Sequence, residues 1–263
     1  MPNKTIPTSV ALTIILILAI LVGIMDYWFY QEIQSIKFEI IELKSSQKNL
    51  TFDPLNATYK IEGEEFTLVN GKAEKEIVPG AASKIEVMVW SAPAVGDLSA
   101  DGTNDAALIL TYSGGGSGNF YYIAATFKNL EDGKIIGTNA ILLGDRIALE
   151  NISIKTGVII VNYADRRIDE SMITQPSIGI TKQFALEGTT LKDITPEEAK
   201  KEQACEISGG TVKTSLCCAS ASDFPNLCLI GACGCSPTNS HQVKVCDCGA
   251  NKCFNESGCV VNQ

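Results

Sequence analysis

Three constellations in the 263-residue chain have residue types and spacing that could do chemistry. The first is Asp97-Leu-Ser99-Ala-Asp101-Gly102-Thr103-Asn-Asp105. Oxygen-bearing side chains stand at positions 1, 3, 5 and 9, glycine at 6 allows a sharp turn, and Thr103 at 7 adds a backbone carbonyl, which is the layout of a calcium loop. Asp97, Ser99, Asp101, Thr103 and Asp105 are therefore the expected ligands. Three carboxylates in one loop repel each other unless a cation lies between them, which favours Ca2+ over a turn that binds nothing. Position 12 is Leu108 rather than Glu, and a strand follows, so the loop is not an EF-hand.

The second constellation is the arginines. The chain has eighteen lysines but three arginines, all in two similar segments, Gly144-Asp145-Arg146 and Ala164-Asp165-Arg166-Arg167. A guanidinium offers a rigid bidentate fork that an ammonium lacks. Arg146 and Arg166 would either clamp a carboxylate or sulfate ligand or, the simpler reading, pair with Asp145 and Asp165 and pin neighbouring strands.

The third is the tail, which holds all ten cysteines: Cys205, Cys217, Cys218, Cys228, Cys233, Cys235, Cys246, Cys248, Cys253 and Cys259. The spacing Cys-x4-Cys-x-Cys is mirrored by Cys-x-Cys-x4-Cys. Such density in a short polar stretch reads as a disulfide framework made in an oxidising compartment, with Cys217 and Cys218 taking different partners. Zn2+ is the alternative, but the usual C-x2-C knuckles are missing. His241, the only histidine, reads as a surface residue.

Catalysis is not expected. The region before the tail has no cysteine, no histidine and no G-x-S-x-G elbow, and no acid and base pair stands apart from the loop carboxylates. Ser113–Gly118 is glycine-rich but lacks the Gly-Lys-Ser/Thr ending of a phosphate loop, and reads as a hairpin. A net charge of -9 without basic clusters excludes nucleic acid as the partner.

These groups must be positioned by the elements around them. Val10 to Met25 read VALTIILILAILVGIM, followed by Tyr27, Trp28, Phe29 and Tyr30. About 20 residues cross a bilayer, so residues 10–30 are expected as one transmembrane helix with an aromatic belt, after a cytoplasmic tail at 1–9. No small-x-small pattern follows the run, which favours an anchor over a cleaved signal peptide. Orientation rests on the cysteines, which need an oxidant: the N-terminus is placed in the cytoplasm and the rest outside the cell membrane. Phe29, Ile33, Ile36, Ile40 and Leu43 then form a short heptad seam. It would make 31–48 either a dimerising or a plain helical stalk, before a linker at 49–57.

From 58 to 192, β-branched and aromatic runs alternate with turn dipeptides such as Asn70-Gly71 and Thr156-Gly157. The expected strands cover 66–69, 83–90, 106–112, 120–127, 139–143, 152–155, 158–163 and 177–184. The fold class is mainly β, an antiparallel sandwich or rolled sheet. Thr195-Pro196-Glu197-Glu198 is a capping box opening a short helix from Pro196 to about Cys205 or Ile207 that stops at Gly209-Gly210; 193–204 is the helix and linker segment, and 205–263 is the cysteine-rich module. Asn49, Asn56, Asn151 and Asn255 open N-x-Ser/Thr glycan acceptor patterns.

Several stretches resemble known families. Gly96 to Asp105 resembles the single calcium loop of FG-GAP-type repeats, GD-x-x-x-DG-x-x-D, present in one copy. Thr67-Leu-Val-Asn-Gly71, Leu142-Leu-Gly-Asp-Arg-Ile-Ala148 and Val161-Asn-Tyr-Ala-Asp-Arg166 resemble an uncharacterised exported bacterial β domain. Cys217 to Cys235 with Val245-Cys-Asp-Cys-Gly249 resembles a cysteine-rich module of exported archaeal and candidate-phylum bacterial proteins. The resemblances imply export and architecture only. The resulting expectation is a surface protein that binds an extracellular protein or glycan, its β domain stabilised by calcium; the alternative is a surface hydrolase acting on envelope polymers.

Overall fold

The computed structural model describes residues 24–25, 27–33, 37, 52–78, 80, 83–231 and 233–262. The expected cytoplasmic tail, most of the expected span at 10–30 and of the stalk at 31–48, and the start of the linker lie outside these residues. Residues 24–25, 27–33 and 37 are helical and exposed. Among the described residues no helix is long and apolar enough to cross a membrane.

Leu50–Gln263 form one compact unit. It is mainly β, as expected, with a disulfide-rich C-terminal region. The largest sheet has seven strands. Its order is β3 (Lys72–Glu76), β4 (Lys84–Val89), β6 (Asp105–Ser113), β7 (Phe120–Lys128) and β8 (Ile135–Gly137), with β5 (Ala94–Gly96) paired to β6 and β9 (Ile141–Asp145) to β7. A second sheet runs β10 (Ala148–Lys155), β11 (Val158–Asp165), β12 (Ile178–Glu187) and β13 (Thr190–Asp193). All these pairs are antiparallel.

The seven-stranded sheet is a middle layer. Side chains alternate across a strand, and here both faces are buried. Ala107 and Ile109 of β6, with Tyr121 and Ile123 of β7, share a core with Ile159, Val161, Tyr163, Ile180 and Phe184 of the second sheet. Leu108, Leu110, Tyr122 and Ala124 face the other way, onto Tyr59, Ile61 and Phe66. Those three belong to the hairpin β1 (Thr58–Ile61) and β2 (Glu64–Thr67), which covers the outer face. Double burial explains why β6 and β7 read as continuous apolar runs rather than as alternation.

The linker ends earlier than the sequence suggests. Asp53 caps a short 3-10 turn, Pro54–Asn56. Tyr59 Oη donates to the Pro54 carbonyl, and Leu55 and Ala57 accept bonds from Gly71 and Leu68. Residues 53–57 are thus part of the β unit. Asn70-Gly71 forms a tight turn with both residues at positive φ, 52° and 80°, a conformation glycine adopts without a steric penalty.

The helix after the second sheet, α1 (Glu197–Ile207), begins without the expected capping box. Thr195 Oγ1 accepts the Gln183 N–H instead, because Thr195 is buried at the corner between β13 and α1. The tail adds β14 (Thr211–Cys218) paired with β15 (Ser240–Asp247), β16 (Lys252–Phe254) paired with β17 (Cys259–Val261), and a single turn, α2 (Leu227–Ile230). Of its two small cores, one is built of half-cystines and aromatics, Cys205, Phe224, Cys246 and Phe254, and the other of Cys217 with Val243 and Val245.

Candidate functional site

The loop from Gly96 to Asp105 joins two strands of the middle sheet, with Gly96 opposite Asp105 in register. Leu98 anchors it by burying its side chain in the shared core. Asp105, fully buried at the start of β6, holds the loop with one oxygen: Oδ2 accepts the N–H groups of Leu98 and Ser99, both at 2.8 Å. Its other oxygen, Oδ1, is buried without a hydrogen-bond partner, and so is Ser99 Oγ. Burial pushes the Asp105 carboxyl above the ordinary aspartate range, against the pull of the two amides.

Asp97 and Asp101 turn toward the loop's own backbone. Asp97 accepts the N–H groups of Asp101 (3.2 Å) and Gly102 (3.1 Å). Asp101 Oδ1 accepts from Thr103 Oγ1 (2.6 Å) and Thr103 N (2.7 Å), and these bonds hold its carboxyl below the ordinary range. Ala100 and Gly102 have φ of 59° and 81°, which lets the chain wrap round Asp97. The five expected ligands therefore share one loop, but the three carboxylates do not converge. Among the described residues the only group of three or more acidic, histidine or cysteine ligand atoms within 4.8 Å is Cys246, Cys248 and Cys259. The orphaned Asp105 Oδ1 and Ser99 Oγ suit a hard cation, and Asp97 and Asp101 would have to exchange amide bonds to complete its shell.

The arginines meet as a structural corner. Arg146 makes a bidentate pair with its neighbour Asp145, Nε to Oδ1 at 3.1 Å and Nη2 to Oδ2 at 2.9 Å, as the simpler reading expects. Arg166 does not pair with Asp165. It donates to two backbone carbonyls, Arg146 at 2.8 Å and Thr174, so it ties the ends of β9 and β11 to the loop beyond. Both forks face protein groups.

Neither a family model, nor a characterised protein, nor a solved structure matches the chain. The functional reading therefore draws on the sequence pattern and the geometry of this chain.

All ten cysteines are paired and none is free: Cys205–Cys246, Cys217–Cys233, Cys218–Cys235, Cys228–Cys253 and Cys248–Cys259. Cys217 and Cys218 take different partners, as their adjacency requires. Zinc binding would need thiolates, and every sulfur is bonded to another. The module docks on the β domain through α1: Gln203 Nε2 donates to the Thr181 carbonyl at 2.8 Å, and Ile168 N to that of Ile207 at 2.9 Å.

Three supporting roles escaped the sequence reading. Asn139 bridges two sheets through its amide, Ser208 holds Cys259 in place, and Gly210 lies against three sulfurs. A glycine directly between an apparent helix end and a strand was the available signal for the last.

Proposed function

We propose that the chain is a membrane-tethered extracytoplasmic protein that binds a partner, with its β domain and cross-linked tip held outside the membrane by a single span at 10–30. The observation that carries this reading is the complete pairing of ten cysteines, chemistry that persists in oxidising compartments. The apolar run from Val10 to Met25 supports the tether, and the heptad seam beyond it supports pairing of two chains. The partner is an extracellular protein or glycan. Calcium acts as a structural ion at Asp97, Ser99, Asp101, Thr103 and Asp105, a reading supported by the two buried oxygens without partners.

Expression of residues 1–263 followed by membrane fractionation and protease shaving tests the tether, and intact mass tests the tip. The expected result is a membrane-bound chain cleaved from outside, with a mass that rises by about 10 Da on reduction of five bridges. A soluble pool with free thiols would overturn both statements. Residues 50–263 immobilised against native envelopes separate binding from the hydrolase alternative: retained ligand supports binding, whereas polymer returned as shortened fragments supports hydrolysis.

A further inference from the structure

In the tip, two disulfides of unequal exposure touch. Cys205–Cys246 is buried, its residues 0% and 1% exposed, whereas Cys248 and Cys259 are both partly exposed. The Cys246 Sγ lies 3.8 Å from Cys248 Sγ and 3.7 Å from Cys259 Sγ, about van der Waals contact for sulfur. The contact is built in. Gly210 passes so close that a Cβ there would meet the sulfurs of Cys246, Cys205 and Cys259 all within 3.0 Å. Ser208 Oγ accepts the Cys259 N–H at 2.8 Å and donates back to the Ala204 carbonyl at the end of α1. The sulfurs are therefore held by backbone on both sides.

We propose that these four cysteines form a thiol–disulfide relay, in which Cys248–Cys259 takes electrons from an external dithiol and passes them to the buried Cys205–Cys246 bridge. A dithiol reduces Cys248–Cys259, leaving two thiols on the chain and closing its own disulfide. The Cys259 thiolate then attacks Cys246 Sγ; the Cys205–Cys246 bond breaks, Cys205 leaves as a thiolate and takes a proton, and Cys246–Cys259 forms. Finally the Cys248 thiolate attacks Cys259 Sγ, Cys246 leaves and is protonated, and Cys248–Cys259 is restored. The net transfer is two electrons and two protons from the dithiol to Cys205 and Cys246. Its outcome is mechanical. Cys205 is on α1 and Cys246 on β15, so the relay releases the helix that joins the tip to the β domain while the exposed bridge stays closed.

Cys248→Ser in the full chain leaves Cys259 as a free thiol beside Cys246, and alkylation with peptide mapping after incubation at mildly alkaline pH reads the result. The relay expects a population of molecules with Cys246 bonded to Cys259 and Cys205 alkylated. Free Cys259 with an unbroken Cys205–Cys246 bridge in all molecules overturns it. A second measurement needs no variant: wild-type protein is treated with limiting dithiol and quenched by alkylation over time. Molecules alkylated at Cys205 and Cys246 with Cys248–Cys259 intact support the relay. Accumulation of molecules alkylated only at Cys248 and Cys259, with Cys205–Cys246 opening only as the tip unfolds, overturns it.

Discussion

The side-chain amide of Asn139 replaces a strand residue for Leu191: Nδ2 donates to the Leu191 carbonyl at 3.2 Å, and Oδ1 accepts the Leu191 N–H at 2.8 Å. Leu191 lies on β13, the last strand of the four-stranded sheet, and Asn139 lies between β8 and β9 of the middle sheet. The backbone of Asn139 also bridges to Lys60 of β1. One residue thus ties all three β layers together.

Asn139→Ala leaves two polar groups of a buried residue without partners. The expected loss is about 1–3 kcal/mol, because each orphaned group loses its bond without regaining water. Urea unfolding followed by tryptophan fluorescence reads it. An unchanged midpoint would mean that the apolar core alone holds the sheets together.

Asp105 gives the calcium proposal a signature in pH. Its carboxyl is raised by burial, so the folded chain favours the protonated form. In chelator, the stability this group contributes is full below the ordinary aspartate value and is lost as pH rises through the raised folded value. Under the calcium proposal, excess calcium should favour the carboxylate and reverse the slope. Asp105→Asn should flatten the pH dependence in chelator and abolish any rise in Tm with calcium, and Asp101→Ala should abolish that rise too. Identical wild-type melts with calcium and with chelator would remove the ion from the loop.

Arg166→Lys tests the corner. A lysine cannot donate to the carbonyls of Arg146 and Thr174 from one planar group, and the loop between β11 and β12 should loosen. The expected cost is about 1.5–3 kcal/mol, typical of a hydrogen bond from a charged donor, with faster tryptic cleavage after Arg167. A wild-type Tm that climbs saturably with sulfate, and not with chloride, would favour the ligand clamp instead.

Gly210→Ala places a methyl where three sulfurs meet. The tip should fail to form its native pairing, so peptide mapping of the purified variant should find exchanged partners among Cys205, Cys246, Cys248 and Cys259. Native pairing in full yield would show that the backbone at 210 can move away at little cost.

The central strands were legible because they are apolar on both faces, so even a coarse pattern marks them. β3, with the sequence KAEKE, and β1, with TYKI, were not, since an edge strand or a covering hairpin carries polar residues outward. The turn between β1 and β2 is Glu62-Gly63, both at positive φ, and glutamate rarely announces such a turn. At the loop, the residue types and spacing were readable, but not that Asp97 and Asp101 give their oxygens to backbone amides. Arg166 shows the same blindness: its partners are carbonyls, which every residue has. Thr195 had the sequence of a cap and became a bridge to β12 because burial, which sequence pattern does not carry, decided its partner.

The order of the disulfides along the tail affects its survival. Every peptide bond between Cys205 and Cys259 lies inside at least one covalent ring: Cys205–Cys246 encloses the first stretch, Cys228–Cys253 the next, Cys248–Cys259 the last. A protease that nicks the tip once therefore releases no fragment. The cut chain remains one molecule, and a partner would meet on it much the same surface as on an uncut one.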